Sequence, residues 1–594
     1  DFSRKETYGS LVHSDLVRPT NDESQRVNPF SDLANSVNDN FNTKIFASFF
    51  TEYEILKNLK YRLRVGPDLQ FNKAGFFYGS NTTNNQGGSS TAGIRNNEII
   101  SLTIENILNY NFKFNDKNVF DATLLQSYQN QIERTNFTNV AKIPFDSQTY
   151  NNLGSASEVR GVGSNFKKWR LLSYMARLNY QYNNRYLFTL TGRADGSSRF
   201  AEGNNWGFFP SAAVAWRISE EEFFKISNKA ISDLKFRISY GETGNTAIEP
   251  FQTFSFLDRS SFAFGDDGAP GFVPGTISNP DLKWEITKEW NFGLDFEVWN
   301  NKINGSVNYY RASTEDLLLP RSLPSSSGFT TVLQNIGSTT NRGLEINISL
   351  KDIISSKDFK WETDLNFSTN ENKITEIFGN GQDDIGNQWF IGQPIDVFFD
   401  FKKIGIWQTN EADEAASLGF QPGQIKIEDA NGDGILNADD RVIIGTPTPD
   451  WIGGLTNRLV LQTRQNNLTS SEFYDNNNRL AGRYNNLDVD YWTPENPTNE
   501  NPRPNVSQES VFLGSTLTYK DVSFVRFRNI TLSYSLPENL LKRMNIQDMT
   551  LNFTAENPFT ITNYEGFDPE FESNGERALY PSTKTFALGL NINF

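Results

Sequence analysis

The feature that most limits how this chain can fold is a period of two. In residues 585–594, Phe586, Leu588, Leu590, Ile592 and Phe594 fall on one side, and Thr585, Ala587, Gly589, Asn591 and Asn593 on the other. A β-strand sends alternate side chains to opposite faces, so this segment is apolar on one face and small or polar on the other. Residues 289–299 repeat the pattern, with Trp290, Phe292, Leu294, Phe296 and Val298 against Glu289, Asn291, Gly293, Asp295 and Glu297. So do 343–350, 361–368 and 549–556. Helical periodicity is confined to 219–227, 410–418 and 538–544, and about sixteen or seventeen strands of roughly 10–13 residues are expected.

A soluble sandwich alternates too, so the connections decide. Segments 44–54 and 60–70 are joined by a short link, and a long polar loop then runs to about residue 98. Segments 99–114 and 118–129 meet at Asn115-Asp116-Lys117, and another long loop runs to about 169. Segments 170–182 and 185–196 meet at Asn183-Asn184, and 286–299 and 302–313 at Asn300-Asn301. Asn tolerates the positive φ of a tight hairpin. Short and long connections in alternation are the asymmetry of an outer-membrane barrel, with short periplasmic turns and long extracellular loops. The fold class expected is therefore all-β, a transmembrane antiparallel β-barrel occupying residues 1–594 without a dividing linker.

Composition narrows the chemistry. The chain has no Cys, which removes disulfides and thiolate metal sites, and one His, His13, so neither a Ser-His-Asp triad nor a multi-histidine metal site is expected. Its net charge is −16 with no polybasic run, which argues against nucleic acid as a partner. No stretch approaches the roughly 18 apolar residues of a spanning helix, but alternating strands conceal their hydrophobicity from such a count. The chain opens at Asp1 without a signal-peptide pattern, so a processed or truncated end is expected.

A series of motifs then resembles the SusC-like branch of TonB-dependent outer-membrane transporters. They include Arg193-Ala-Asp-Gly-Ser-Ser-Arg-Phe200, Trp206-Gly-Phe-Phe-Pro-Ser211, Thr243-Gly-Asn245 and Asn279-Pro-Asp-Leu-Lys-Trp-Glu285. Further along come Asn341-Arg-Gly-Leu-Glu345, the Asp429–Gly445 region, Trp492-Thr-Pro-Glu-Asn-Pro497, Arg526-Phe-Arg-Asn-Ile-Thr-Leu532, Glu556-Asn-Pro-Phe559 and the closing segment from Tyr580. The resemblance implies a 22-stranded barrel closed by a plug and energised by the TonB complex. It also implies a SusD-like lipoprotein lid, import of oligosaccharides or peptides, and a dimer of transporter–lid pairs. The TonB box, plug and N-terminal extension of that pattern are not found in residues 1–594, and its aromatic strand and hairpin after Arg458 are replaced by Asn-rich sequence. The chain is accordingly expected to be the C-terminal three-quarters of such a barrel, with segments omitted at both places. A passive porin or barrel scaffold, and a soluble calcium-stabilised glycan-binding β-protein, remain as alternatives.

Within residues 425–445, Asp429, Asn431, Asp433, Ile435 (through its carbonyl), Asn437 and Asp440 stand at positions 1, 3, 5, 7, 9 and 12 of an EF-hand-like spacing, with Gly434 at position 6. Structural Ca²⁺ is expected there, against the alternative of a metal-free Asx-rich turn. Asp266-Asp267 and Asp383-Asp384 read as solvated loop charge rather than a glycosidase pair, and Gly241–Asn245 lacks the Lys and helix of a phosphate loop. Trp389, Phe390, Trp407 and Tyr491 are candidates for stacking on sugars, with loop packing the commoner role of such residues. Phe594, aromatic and terminal on an outward-alternating strand, is expected to face outer-membrane lipid and to signal to the barrel-assembly machinery. No covalent chemistry is expected.

Overall fold

The computed structural model describes residues 29–593 apart from 86, 225–229, 266, 356–359, 457–458, 463–489, 504–512, 518–523, 536–545, 547 and 564–582. The strands in chain order are β1 (Ser36–Phe46), β2 (Phe49–Leu56), β3 (Leu59–Tyr78), β4 (Thr91–Asn115), β5 (Asn118–Ala141), β6 (Glu158–Tyr182), β7 (Tyr186–Ser197), β8 (Trp206–Arg217) and β9 (Ile231–Asn245). There follow β10 (Leu257–Phe264), β11 (Asp267–Pro274), β12 (Glu285–Val298), β13 (Ile303–Glu315), β14 (Leu318–Ser322), β15 (Thr331–Asn335), β16 (Ser338–Ser355) and β17 (Lys360–Glu376). Last are β18 (Phe398–Phe401), β19 (Lys403–Ile406), β20 (Ile425–Ile427), β21 (Arg441–Gly445), β22 (Ile452–Thr456), β23 (Leu459–Gln462), β24 (Phe524–Ser535), β25 (Asp548–Thr562) and β26 (Thr585–Asn593).

Eighteen of these form one sheet. β1 and β2 lie end to end along β3, and antiparallel pairing then passes in chain order from β3 to β26, skipping β10, β11, β14, β15 and β18 to β21. Those eight pair among themselves as small hairpins inside the long connections. Short β23 joins β22 to β24, so the sheet is continuous past Arg458.

Because consecutive sheet strands are antiparallel, alternate connections fall at opposite ends. Most of those at one end are short, for instance 57–58, 116–117, 183–185 and 299–302, with 218–230 a longer exception; at the other they include 79–90, 142–157, 246–284 and 377–451. Asn183 and Asn184 take φ of 50° and 57°, the left-handed pair of a tight hairpin, and Arg185 N–H closes the turn onto the Tyr182 carbonyl at 3.0 Å. At the next short turn the Asn115 side chain accepts from the N–H groups of Lys117 and Asn118 at 3.0 and 2.9 Å.

The strands exceed their expected length. β4, β5 and β6 have 25, 24 and 25 residues rather than ending near 99, 129 and 170. The reason lies on the outer face. On β4 the outward positions Ile100, Leu102, Ile104, Leu108, Tyr110 and Phe112 are apolar, interrupted by Asn106, whose amide is bonded to Tyr61 and Gln126 at 2.6 Å each, but the next two upward, Glu98 and Asn96, face Arg134 and Asn136. Residues 100–112 cover roughly 40 Å of strand, or about 30 Å of height once tilted, which is one hydrocarbon core. Above it the wall continues as hydrogen-bonded strand in water, where no apolar face is required and alternation disappears. The helical expectation holds at Ala412–Ser417. Over 219–224 it is corrected to a 3₁₀ turn, Ile218–Glu220, because the backbone turns extended at Glu221, with ψ of 146°; 225–227 and 538–544 lie outside the described residues.

Candidate functional site

Two adjacent rungs across the sheet define its faces. Register places Phe112, Phe120, Tyr180, Phe188, Val214, Ile238, Phe292 and Tyr309 on one rung. The rung one residue away holds Asn111, Asp121, Asn179, Thr189, Ala213, Ser239, Asn291 and Tyr310. The first face is an aromatic belt, with the rings of Phe112, Phe120 and Tyr180 stacked at 4.7 and 4.6 Å. The second is a hydrogen-bonded wall: Asn179 donates to Asp121 at 3.1 Å, Thr189 to Asn179 at 2.8 Å, and Tyr310 to Asn370 at 2.9 Å. On that face Asp295 also gathers Arg237 and Lys235 at 2.6 and 2.8 Å. Apolar outside and polar inside is the division of a transmembrane barrel.

At the long-loop end, three packed caps follow. Around Trp284, the rings of Phe200 and Phe209 and the side chains of Ile248, Leu282 and Leu318 form one core, and Trp284 Nε1 donates to the Asn205 carbonyl at 3.1 Å. Arg199 donates to the carbonyls of Thr246 and Ile248, each at 3.0 Å, while its guanidinium lies 4.8 Å from the Trp169 ring. A Cβ on Gly244 would come 2.1 Å from the Phe209 ring, so glycine is what lets the ring lie flat on β9. The motifs 193–200, 243–245 and 279–285 are thus loop scaffolding. A second core joins Phe77, Ala92, Val140, Ile143 and Tyr150.

The third cap is built from two connections far apart in sequence. β18 pairs with β21 and β19 with β20, and Ile406, Ile425 and Ile427 bury Trp492 from the following connection. Asn499 accepts from the Ile406 N–H at 2.9 Å, Trp492 Nε1 donates to Gln408 at 3.0 Å, and Arg503 N–H donates to the Gly423 carbonyl at 2.9 Å. Lys403 reaches the Glu500 carbonyl at 2.8 Å, and burial pushes its pKa down. Thr498 and Asn496 donate to Asp490 and hold its carboxyl below the usual range. Sequence reasoning missed this joining; the signal available was Trp492-Thr-Pro-Glu-Asn-Pro497, noticed but assigned no place.

The candidate residues sort out accordingly. Trp407 and Phe390 are buried, Trp407 packing with Phe420 and lying 4.0 Å below Lys426 Nζ, so neither offers a stacking face. Trp389 is half-buried and Tyr491 exposed. Asp383 accepts from the Ile391 N–H and Asp384 from Asn387, which makes them turn-closing groups. Gly241–Asn245 lies within β9. Asp266, His13 and Phe594 fall outside the described residues.

The 429–440 loop folds on its own amides. Asp429 accepts from the N–H groups of Gly432 and Gly434 at 2.7 and 2.9 Å, Asn431 from Asp433 at 2.9 Å, and Asp433 from Ile435 at 2.8 Å. Asn437 accepts from Asp439 N–H at 2.7 Å, and fully buried Asp440 accepts from Ala430 and Asn437 at 3.0 and 2.8 Å. Gly432 and Gly434, at φ of 74° and 76°, supply the sharp turn. Among the described residues no three acidic side chains converge as a metal cage, although an oxygen that accepts one N–H keeps a lone pair.

Glu411 ties the adjoining helix to this cap. It accepts from Gln408 N–H and pairs with Lys426 at 2.9 Å, and these contacts hold its carboxyl below its ordinary 4.5. A lowered folded pKa contributes stability that is complete above the unfolded value and is lost as pH falls below it. Proteolysis of the 403–427 segment should therefore accelerate on acidification below about pH 4.5, and Glu411→Gln should flatten that dependence while raising the rate at neutral pH.

Wall, belt and caps together define an outer-membrane β-barrel with a polar interior. Residues 2–557 match the family model for the TonB dependent receptor-like β-barrel, and the chain belongs to the TonB-dependent receptor family. It is 32% identical over 609 residues to TonB-dependent receptor P3 of Formosa agariphila, covering 96% of this chain and 60% of that protein. TonB-dependent receptor SusC of Bacteroides thetaiotaomicron is 34% identical over 463 residues, covering 71% and 44%. The structure of the RagAB peptide transporter shares the fold at a TM-score of 0.80 and 23% identity, over 95% of this chain and 63% of that one. The barrel is SusC-like, and the chain spans about three-fifths of the length of P3.

Proposed function

We propose that the protein is the barrel of an outer-membrane importer that takes oligosaccharides or peptides from a SusD-like lipoprotein lid and is driven by the TonB complex through a region preceding this chain. The observation that carries the reading is the pairing of an apolar outer rung with a polar inner rung across eight sheet strands, in a chain of the TonB-dependent receptor family. Binding and passage need only positioned polar groups, and no covalent chemistry is assigned to the chain. Organisation as a dimer of transporter–lid pairs, and folding by the barrel-assembly machinery, belong to the same proposal.

Uptake of labelled maltooligosaccharides and of labelled peptides by cells with and without the gene tests it. One class should accumulate only with the gene, and a protonophore should abolish that accumulation. Accumulation that resists the protonophore would establish a porin; a protein soluble without detergent would establish the glycan-binding alternative.

On the oxygen spacing we also assign Asp429, Asn431, Asp433, the Ile435 carbonyl, Asn437 and Asp440 to structural Ca²⁺. The ion would engage the lone pairs left by the amide bonds and screen a segment that also carries Glu428 and Asp439. Chelator should speed cleavage within 425–445 several-fold and added Ca²⁺ should reverse it; a rate indifferent to both would leave the loop an Asx-stabilised turn.

A further inference from the structure

The outer wall carries a concentration of cations where the apolar band ends on the long-loop side. Register puts Arg311 of β13 directly opposite Arg342 of β16, on the same face as Tyr309 and Leu344. Arg342 in turn faces Glu371 of β17, and Lys373 of β17 faces Thr340. Like charges placed directly across a ladder destabilise it. Glu371 does not resolve this, because it is shared between Arg342 and Lys373, the latter at 2.6 Å. Among the described residues Arg311 has no ion-pair partner.

These side chains line a cleft of about 170 Å³, with Tyr309, Thr340 and Asn341. It holds three cations and one carboxylate. A neighbouring cleft of about 480 Å³ shares Tyr309, Arg342 and Glu371 and extends toward Pro394, Thr446 and Thr448, with Asp450 also on its lining. On the side away from the loops the same face turns apolar, with Val307, Ile346 and Phe367 following Tyr309 toward the short turns. Trp290 and Phe292 stack beside Tyr309 as an interfacial belt.

We propose that this cleft seats the phosphorylated headgroup of an outer-leaflet lipid, whose acyl chains lie on the apolar face beyond Tyr309. Arg311 and Arg342 would clasp the phosphate from two sides, which turns the cross-strand repulsion into a bidentate anion site. A free anion in water would use the same cations but would gain nothing from the apolar face, and the position at the rim of the band favours the lipid. The inference rests on the outer-membrane placement of the barrel.

Purified protein in dodecyl maltoside micelles would be titrated with phosphatidic acid, diacylglycerol or inorganic phosphate, reading the midpoint of heat-modifiable gel mobility. Phosphatidic acid should raise the midpoint saturably, and the other two should not. Arg311→Gln should weaken the effect about tenfold, Arg311→Lys should weaken it less, keeping the charge but losing the fork, and Glu371→Gln should strengthen it. Equal shifts with diacylglycerol or with inorganic phosphate would overturn the proposal, as would unchanged affinity in Arg311→Gln. If Arg311→Gln does not assemble, Glu371→Gln decides, and an affinity no tighter than that of the native protein overturns the site. Loss of heat-modifiability in the native protein would instead refute the barrel itself.

Discussion

Cells expressing the chain without residues 585–594 should accumulate no heat-modifiable barrel. β26 meets β25 along its whole length, from Asp548 opposite Asn593 to Glu556 opposite Thr585. Removing it strips the backbone partners from one edge of β25. In water such an edge would be solvated, but within hydrocarbon each unpaired N–H or C=O costs several kcal/mol. The nine facing pairs of this ladder carry about eight to ten bonds, whose loss therefore exceeds the roughly 5–15 kcal/mol that holds a typical domain folded. The outward side chains Phe586, Leu588 and Leu590, all exposed and placed for lipid, would be lost as well. The measurement is gel mobility of outer-membrane fractions with and without boiling. A normal amount of heat-modifiable protein in the deletion strain would mean that β26 is dispensable for assembly. Phe594→Ala separates signalling from structure: lowered assembly with the strand intact assigns the terminal aromatic a role in recognition by the assembly machinery.

The membrane-spanning part of the fold was legible because lipid outside and water inside impose period two on every strand. Trp290 to Val298 and Leu344 to Leu350 declare their faces without any knowledge of their partners, and Asn183-Asn184 declares its hairpin. Where the outer face meets water that constraint lapses, and so the upper halves of β4 and β5 carry no strand signal in the sequence; Glu98 opposite Arg134 is polar whether in a strand or a loop. The small hairpins of the long connections, such as β18 with β21, were illegible for another reason. β18 and β21 are four and five residues long, too short to show a period, and find each other across about forty residues. For the loop aromatics, composition could not say which would be buried: Trp407 is enclosed while Tyr491 is exposed. The oxygen spacing at 429–440 located a compact loop correctly, yet spacing alone does not determine whether a carboxylate meets an amide or an ion.

The same long-range dependence makes Trp492 the residue whose loss should do most damage outside the membrane. Its ring is 4% exposed, packed with Ile406, Ile425 and Ile427, and its Nε1 is bonded to Gln408. Gln408 in turn donates to the carbonyls of Ile406 and Thr498, so one indole connects three segments. Trp492→Ala removes that packing and leaves a cavity, a change worth about 3–5 kcal/mol. A cap of two short hairpins and one helical turn has little further core to offset it. The expected result is a cap opened in most molecules, with cleavage within 403–427 and 490–503 rising by a hundredfold or more. The barrel should keep its heat-modifiable midpoint, since no residue of the cap completes a sheet rung. Gly423→Ala tests the same contact from the other side: its φ of 86° strains any side chain, and a Cβ there would lie 2.5 Å from the Trp492 ring. Proteolysis unchanged in both variants would show that the two connections are held together by contacts other than this indole.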